Sequence, residues 1–114
     1  MYLVEIHDLA KDDIRTLKKA GKNKIAQRSL KKINMIAVLK DPTEHNNVTI
    51  LDEDAPGWFR YKDGDMRIIF RFTKSGIEVV MTNVIEITML AQRNEKTYGR
   101  ELQRRYRLIE GENP

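Results

Sequence analysis

The sequence predicts an α+β domain: an N-terminal helix pair on one face of a small, mainly antiparallel sheet, plus a C-terminal helix. Three observations predict it. Between Asn23 and Asp41, Ile25, Ala26, Leu30, Ile33, Ile36, Ala37 and Leu39 recur at three- and four-residue steps, the stripe of an amphipathic helix. Between Val48 and Ile85, short runs of β-branched and aromatic residues are separated by glycine-containing turns. After Gly99 the helical spacing returns, with Leu102, Tyr106 and Ile109 on one stripe.

The elements follow in order. Tyr2 to Ile6 ("YLVEI") is short, apolar and β-prone, hence a first strand. Asp8 can cap a helix through "LAKDDIRTLKKA", in which Leu9, Ile14 and Leu17 share a face, and Gly21 ends it. The second helix, "NKIAQRSLKKINMIAVLKD", is stopped by Pro42. The minimal break between the two makes an αα-hairpin. "VTIL", Val48 to Leu51, is a short strand, and "DEDAPG" is a turn. "WFRYK" and "MRIIFRF" are strands about the turn "DGD"; "TKSG" is the next turn. "IEVVMTNVI" is apolar on both faces and therefore central. The predicted order is β-α-α-β-β-β-α, in a single domain spanning residues 1–114.

Composition narrows the function classes. The chain has no cysteine, which excludes a disulfide framework and thiolate metal sites. No basic segment followed by an apolar one opens the chain, and no apolar run approaches a membrane span, so a cytoplasmic protein is expected. Charge is blocked rather than mixed. Lys11 to Lys40 holds ten basic and two acidic residues, Asp41 to Gly57 five acidic and no Lys or Arg, and Arg93 to Arg107 six basic and two acidic. Such blocks favour an anionic partner.

The hairpin Gly57 to Phe72 concentrates the charge. Side chains alternate across a strand. Phe59 and Tyr61, with Met66, Ile68, Phe70 and Phe72, suit the helix pair. Trp58, Arg60 and Lys62, with Arg67, Ile69 and Arg71, take the other side. Four cations on one open side, with no acid between them, point to an anion site there. The carboxylates of "DEDAP" and "DGD" fit turn preferences better than magnesium ligation. His7 and His45 are far apart in sequence, which disfavours a catalytic histidine pair.

The hairpin resembles that of the RelE/ParE superfamily of toxins from type II toxin–antitoxin pairs. The matching residues are Phe59, Arg60-Tyr61-Lys62, Gly64, Met66, Arg67, Ile68-Ile69 and Phe70, with Asp41-Pro42 and Leu51 upstream. The similarity implies a toxin that arrests growth by cutting messenger RNA at the ribosome, without a metal or other cofactor. It implies catalytic roles for Arg60, Lys62, Arg67, Arg93 and Tyr98, with RNA contacts from Trp58, Arg71, Lys96 and Arg100. Lys62, crowded by Arg60 and Arg67, is the candidate base, since like charge disfavours an ammonium. The sixteen residues after Tyr98, and the segment "KTYGRELQRRY", are more similar to the HigB-type branch; "IEITMLAQ" reads as extra chain before Arg93. The implied partners are a cognate antitoxin, the ribosome and its message, with no membrane and no specific DNA binding by the toxin itself. The alternative within the same fold is a ParE-like toxin that inhibits gyrase by binding, without nuclease chemistry.

Overall fold

The computed structural model describes the backbone of residues 2–77, 80–92 and 98–112, and the side chains of these outside 75–84. Strand β1 (Leu3–Ile6) leads into helices α1 (Asp8–Lys19) and α2 (Asn23–Val38). Strands β2 (Val48–Ile50), β3 (Trp58–Asp63), β4 (Met66–Ile77) and β5 (Val80–Gln92) follow, then helix α3 (Tyr98–Glu110). The sheet order is β1-β5-β4-β3-β2. Only β1 and β5 pair in parallel; the rest is antiparallel, as predicted. All five strand segments read from the sequence are present, so four strands lie between α2 and α3 where the order β-α-α-β-β-β-α has three.

Local chemistry explains the turns. The N-cap of α1 is His7, not Asp8: its Nδ1 accepts the Leu9 N–H at 3.1 Å. Asp8 instead lies in the first turn, where its charge favours the positive end of the helix dipole. Gly21, at φ +75°, ends α1. Its N–H reaches the Lys18 carbonyl at 3.1 Å and the Lys22 N–H reaches the Leu17 carbonyl at 2.9 Å, the paired bonds of a Schellman motif. In the β3–β4 hairpin, Asp63 and Met66 pair around Gly64 and Asp65. Gly64 alone of the two has positive φ (+61°), which fits a type II′ turn.

Two differences from the predicted strands matter for the site. The segment "TKSG" is strand, not turn: Thr73 to Gly76 pair with Val84 to Met81, and the ladder outweighs the turn preference of Ser75 and Gly76. The segment "IEITMLAQ" is not an insertion but the second half of β5. Met89 to Gln92 pair with Ile69 to Met66, the start of the hairpin's second arm. A register shift lies between them, since Ile69 faces Met89 and Phe70 faces Ile87. Thr88 is thus the extra residue of a bulge, and its hydroxyl donates to the Ile69 carbonyl at 3.1 Å. The bulge lets Ile85, Ile87 and Leu90 all reach one face.

That face and its opposite have separate cores. Tyr61, Met66, Ile68 and Phe70 pack with Ile33 and Ile36 of α2 and Ala10 of α1. On the other face Trp58, Ile69, Met89 and Ala91 pack with Leu102 and Ile109 of α3. The sheet is therefore the middle of three layers, and α3 covers much of the side expected to be open. Along β5 beyond β1, α1 and α3 close the edge together. The Leu90 N–H donates to Asp13 Oδ2 at 2.9 Å, and Arg105 Nη1 donates to the Thr88 carbonyl at 2.9 Å. Arg105 also holds Asp13 through both oxygens, at 2.8 and 3.1 Å. Among the described residues, no helix is long and apolar enough to cross a membrane.

Candidate functional site

Pairing arranges the α3-facing side in three rows across β3, β4 and β5. Trp58, Arg71 and Glu86 make the first row, Arg60, Ile69 and Met89 the second, and Lys62, Arg67 and Ala91 the third. Helix α3 ends at the first row, where Glu110 meets Trp58 and Arg71. The two outer rows differ sharply.

The first row is sealed. Trp58 is fully buried, its ring lies edge-on to Tyr106 at 5.0 Å between centroids, and its Nε1 donates to Glu110 Oε1 at 2.7 Å. Arg71 sits between two carboxylates, with Nε 2.7 Å from Glu86 Oε1 and Nη1 3.1 Å from Glu110 Oε1. The sequence reading places both residues on an RNA surface. Here Trp58 has no exposed ring to stack on a base, and the charge of Arg71 is already answered from β5 and α3.

The third and second rows are not sealed. Lys62 is exposed and Arg60 half-buried, and neither forms an ion pair with a described residue. The Nε of Arg60 is buried without a hydrogen-bond partner. Arg67 is only 4% exposed, and its Nη1 donates to the carbonyls of Gly64 (2.6 Å) and Met66 (3.0 Å), so it braces the II′ turn. Tyr98 opens α3 and packs against the core formed around Trp58 and Met89, and its hydroxyl is buried without a partner. Arg100 is exposed two residues on. Arg93 and Lys96 lie outside the described residues. The nearby acids are directed elsewhere: Asp63 pairs with Arg28 of α2 at 3.6 Å, and Asp65 accepts from Gln92. Buried donors without a partner favour an anion, and in a water-poor setting guanidinium groups grip phosphate oxygens. Among the described residues no cluster of His, Asp and Glu could hold a metal ion.

Reading by residue type and spacing missed the group that locks the layers: Asp13, Glu101, Arg105 and Glu110. A signal was present for Arg105. It lies three residues after Leu102 and four before Ile109, on the apolar stripe itself, where a charge requires partners. Burial pushes the Arg105 guanidinium down, but its bonds and charge contacts with Asp13 and Glu101 outweigh this and hold it above its ordinary value. Glu101 is held below its ordinary value, chiefly by the bond from Arg104, against burial and with help from Arg105. Both histidines have structural uses. His7 caps α1 and its Nε2 lies 2.8 Å from Glu112, while His45 Nδ1 accepts the Asn47 N–H.

Compared with family models, curated proteins and solved structures, the chain finds no match in any of the three.

Proposed function

We propose that the protein is the toxin of a type II toxin–antitoxin pair, an RelE/HigB-like endoribonuclease that cuts messenger RNA on the ribosome. One observation carries the reading. On the α3-facing side, Arg60 Nε and Tyr98 Oη are buried donors with no hydrogen-bond partner, and the exposed Lys62 lies two residues along β3 from Arg60. A phosphate diester supplies the missing acceptors. In the reaction, the 2′-hydroxyl attacks the adjacent phosphorus. The new P–O2′ bond forms as P–O5′ breaks, leaving a 2′,3′-cyclic phosphate and a 5′-hydroxyl. In this reading Lys62 is the group that takes the 2′ proton, and Tyr98 donates one to the leaving 5′-oxygen. Arg60 holds the phosphoryl oxygens as charge builds on them, the largest single contribution in sites of this kind, while Arg67 braces the turn beneath.

The test is a translation extract programmed with a defined message and read by primer extension. Wild type is expected to give discrete cuts. Arg60→Ala/Lys62→Ala should lose about 100-fold or more in cleavage, the scale of a lost charge-stabilising contact, with an unchanged melting temperature. Arg67→Ala is the poorer probe because that side chain also braces the turn. Intact message with wild type, or equal cutting by the double variant, removes the proposal. Intact message together with inhibited gyrase supports the ParE-like alternative.

A further inference from the structure

The sheet end that carries the candidate site has a second concentration of positive charge, on α1 and α2. Lys18 and Lys19 lie in the last turn of α1, Lys22 in the Schellman turn, and Lys24 in the first turn of α2. Lys24, Arg28 and Lys31 then follow at i, i+4 and i+7, one stripe of a helix. All six side chains named here are carried by residues exposed to solvent. Lys18, Lys19, Lys24 and Lys31 form no ion pair with any described residue. This contrasts with the N-terminal half of α1, where Lys11 pairs with Asp8 and Arg15 with Asp12.

Two contacts place this charge beside the β3–β4 turn. Lys22 Nζ donates to Gln92 Oε1 at 2.5 Å, at the end of β5, and Arg28 Nε lies 3.6 Å from Asp63 Oδ2. The lysines and the Lys62–Arg67 row therefore share one end of the molecule, on either side of the sheet. The Schellman bonds hold the connection between the helices in a fixed form, so the lysines project from a rigid support.

We infer that this α1–α2 turn is a second nucleic-acid surface, docking a duplex through its phosphates outside the candidate site. The residue types select that partner. Single strands are held by aromatic platforms, and between Lys18 and Lys32 there is no aromatic residue. A membrane surface calls for apolar side chains that enter the headgroup layer, and among the described residues the exposed large apolar ones are Leu3, Val38, Ile50 and Leu108, none on this turn. Protein interfaces deplete lysine from their centres and enrich aromatic residues there. Lysines interspersed with Ala20, Gly21, Asn23 and Gln27 leave point charges on a small-residue surface, which suits a regular row of phosphates. The inference deepens the proposed function, since ribosomal RNA is largely duplex, but the charge arrangement stands without the cleavage chemistry.

The experiment is fluorescence anisotropy of the full chain with a labelled RNA duplex, a DNA duplex, a single strand and anionic vesicles, over a salt series. The variants are Lys18→Gln/Lys24→Gln/Lys31→Gln and, as a control with the same change in net charge, Lys11→Gln/Lys40→Gln/Lys74→Gln. The first triple is expected to flatten the salt slope for duplex by about 2 to 3, near 0.9 per lysine that neutralises a phosphate. The control should change it by less than about one. Equal loss in both triples means diffuse attraction to net charge and overturns the inference, as does preference for vesicles or single strands over duplex. The two proposals fail separately. Lysine-dependent duplex binding by a protein that never cuts a message leaves this inference standing and removes the nuclease. Cutting without lysine-dependent duplex binding does the reverse.

Discussion

The two ends of the sheet face beneath α3 are built from the same kinds of side chain and reach opposite states. At one end Arg71 and Trp58 meet Glu86 and Glu110, and every polar group named there has a partner. At the other, Arg60 and Tyr98 each bury a donor without an acceptor, and Lys62 stands in solvent. Strand alternation treats Arg60 and Arg71 alike. What separates them is α3, which brings Glu110 to Arg71 and no carboxylate to Arg60 among the described residues. An arginine on a sheet is thus a clamp or a binding group according to the helix laid over it. Buried donors left unsatisfied cost about 1–3 kcal/mol each, so a ligand that supplies acceptors at the open end relieves a cost already present in the fold.

The most disruptive way to test this contrast is to release α3 from both ends at once. Arg105 bonds Asp13, Glu101 and the Thr88 carbonyl, tying α3 to α1 across the β5 edge. Arg105→Ala strands a half-buried Asp13 carboxylate and is expected to lower stability by about 3–5 kcal/mol. Urea unfolding measures it. Asp13→Leu/Arg105→Met should recover much of the loss, because apolar replacement of a buried pair avoids the stranded charge. A loss below about 1 kcal/mol in the single variant means that the pair does not hold the layers. A smaller effect is expected at the sealed end. Glu110→Ala removes the acceptor of Trp58 Nε1 and one of the two carboxylates on Arg71, for about 1–3 kcal/mol. Thermal melts measure this, and cleavage by the folded fraction should be unchanged. A loss of cleavage with stability intact would place the working end at Arg71 instead.

Much of the fold was legible because it rests on local patterns. The α2 stripe, Gly21 and Pro42 as breaks, and the alternation of the hairpin all lie within a few residues of what they determine. The segments that went astray depend on pairing at a distance. "TKSG" carries turn residues, yet Thr73 to Gly76 are held straight by a partner strand. "IEITMLAQ" reads as extra chain because the Thr88 bulge breaks the two-residue period that would identify a strand. In the candidate site, alternation correctly puts Trp58, Arg60, Lys62, Arg67 and Arg71 on one side. It carries no information on which of them meets an acid, since Glu86 and Glu110 come from β5 and α3. Arg67 shows the same limit: its place on the strand suggests a ligand contact, while its buried Nη1 braces the turn.

The gentlest test concerns why α3 leaves the open end unanswered. The helix has two acids, Glu110 at the sealed end and Glu101 one turn from Tyr98. Glu101 could in principle neutralise the open end, but Arg104 holds both of its oxygens, at 2.9 and 2.8 Å, and Arg105 shares one of them. This engagement keeps its carboxyl below the ordinary value of 4.5. With the folded value lowered, the unfolded chain takes up the proton first as pH falls. The stabilisation from Glu101 is therefore complete above the unfolded value and is lost as pH drops from about 4.5 through the folded one. Glu101→Gln is expected to lower stability at neutral pH by about 0.3–1 kcal/mol, the range of partly exposed ion pairs. The gap from wild type should close in acid and narrow in high salt. If the gap stays constant down to acid pH, the charge of Glu101 is not what its arginines hold, and the open end is cationic for a reason other than the commitment of this carboxylate.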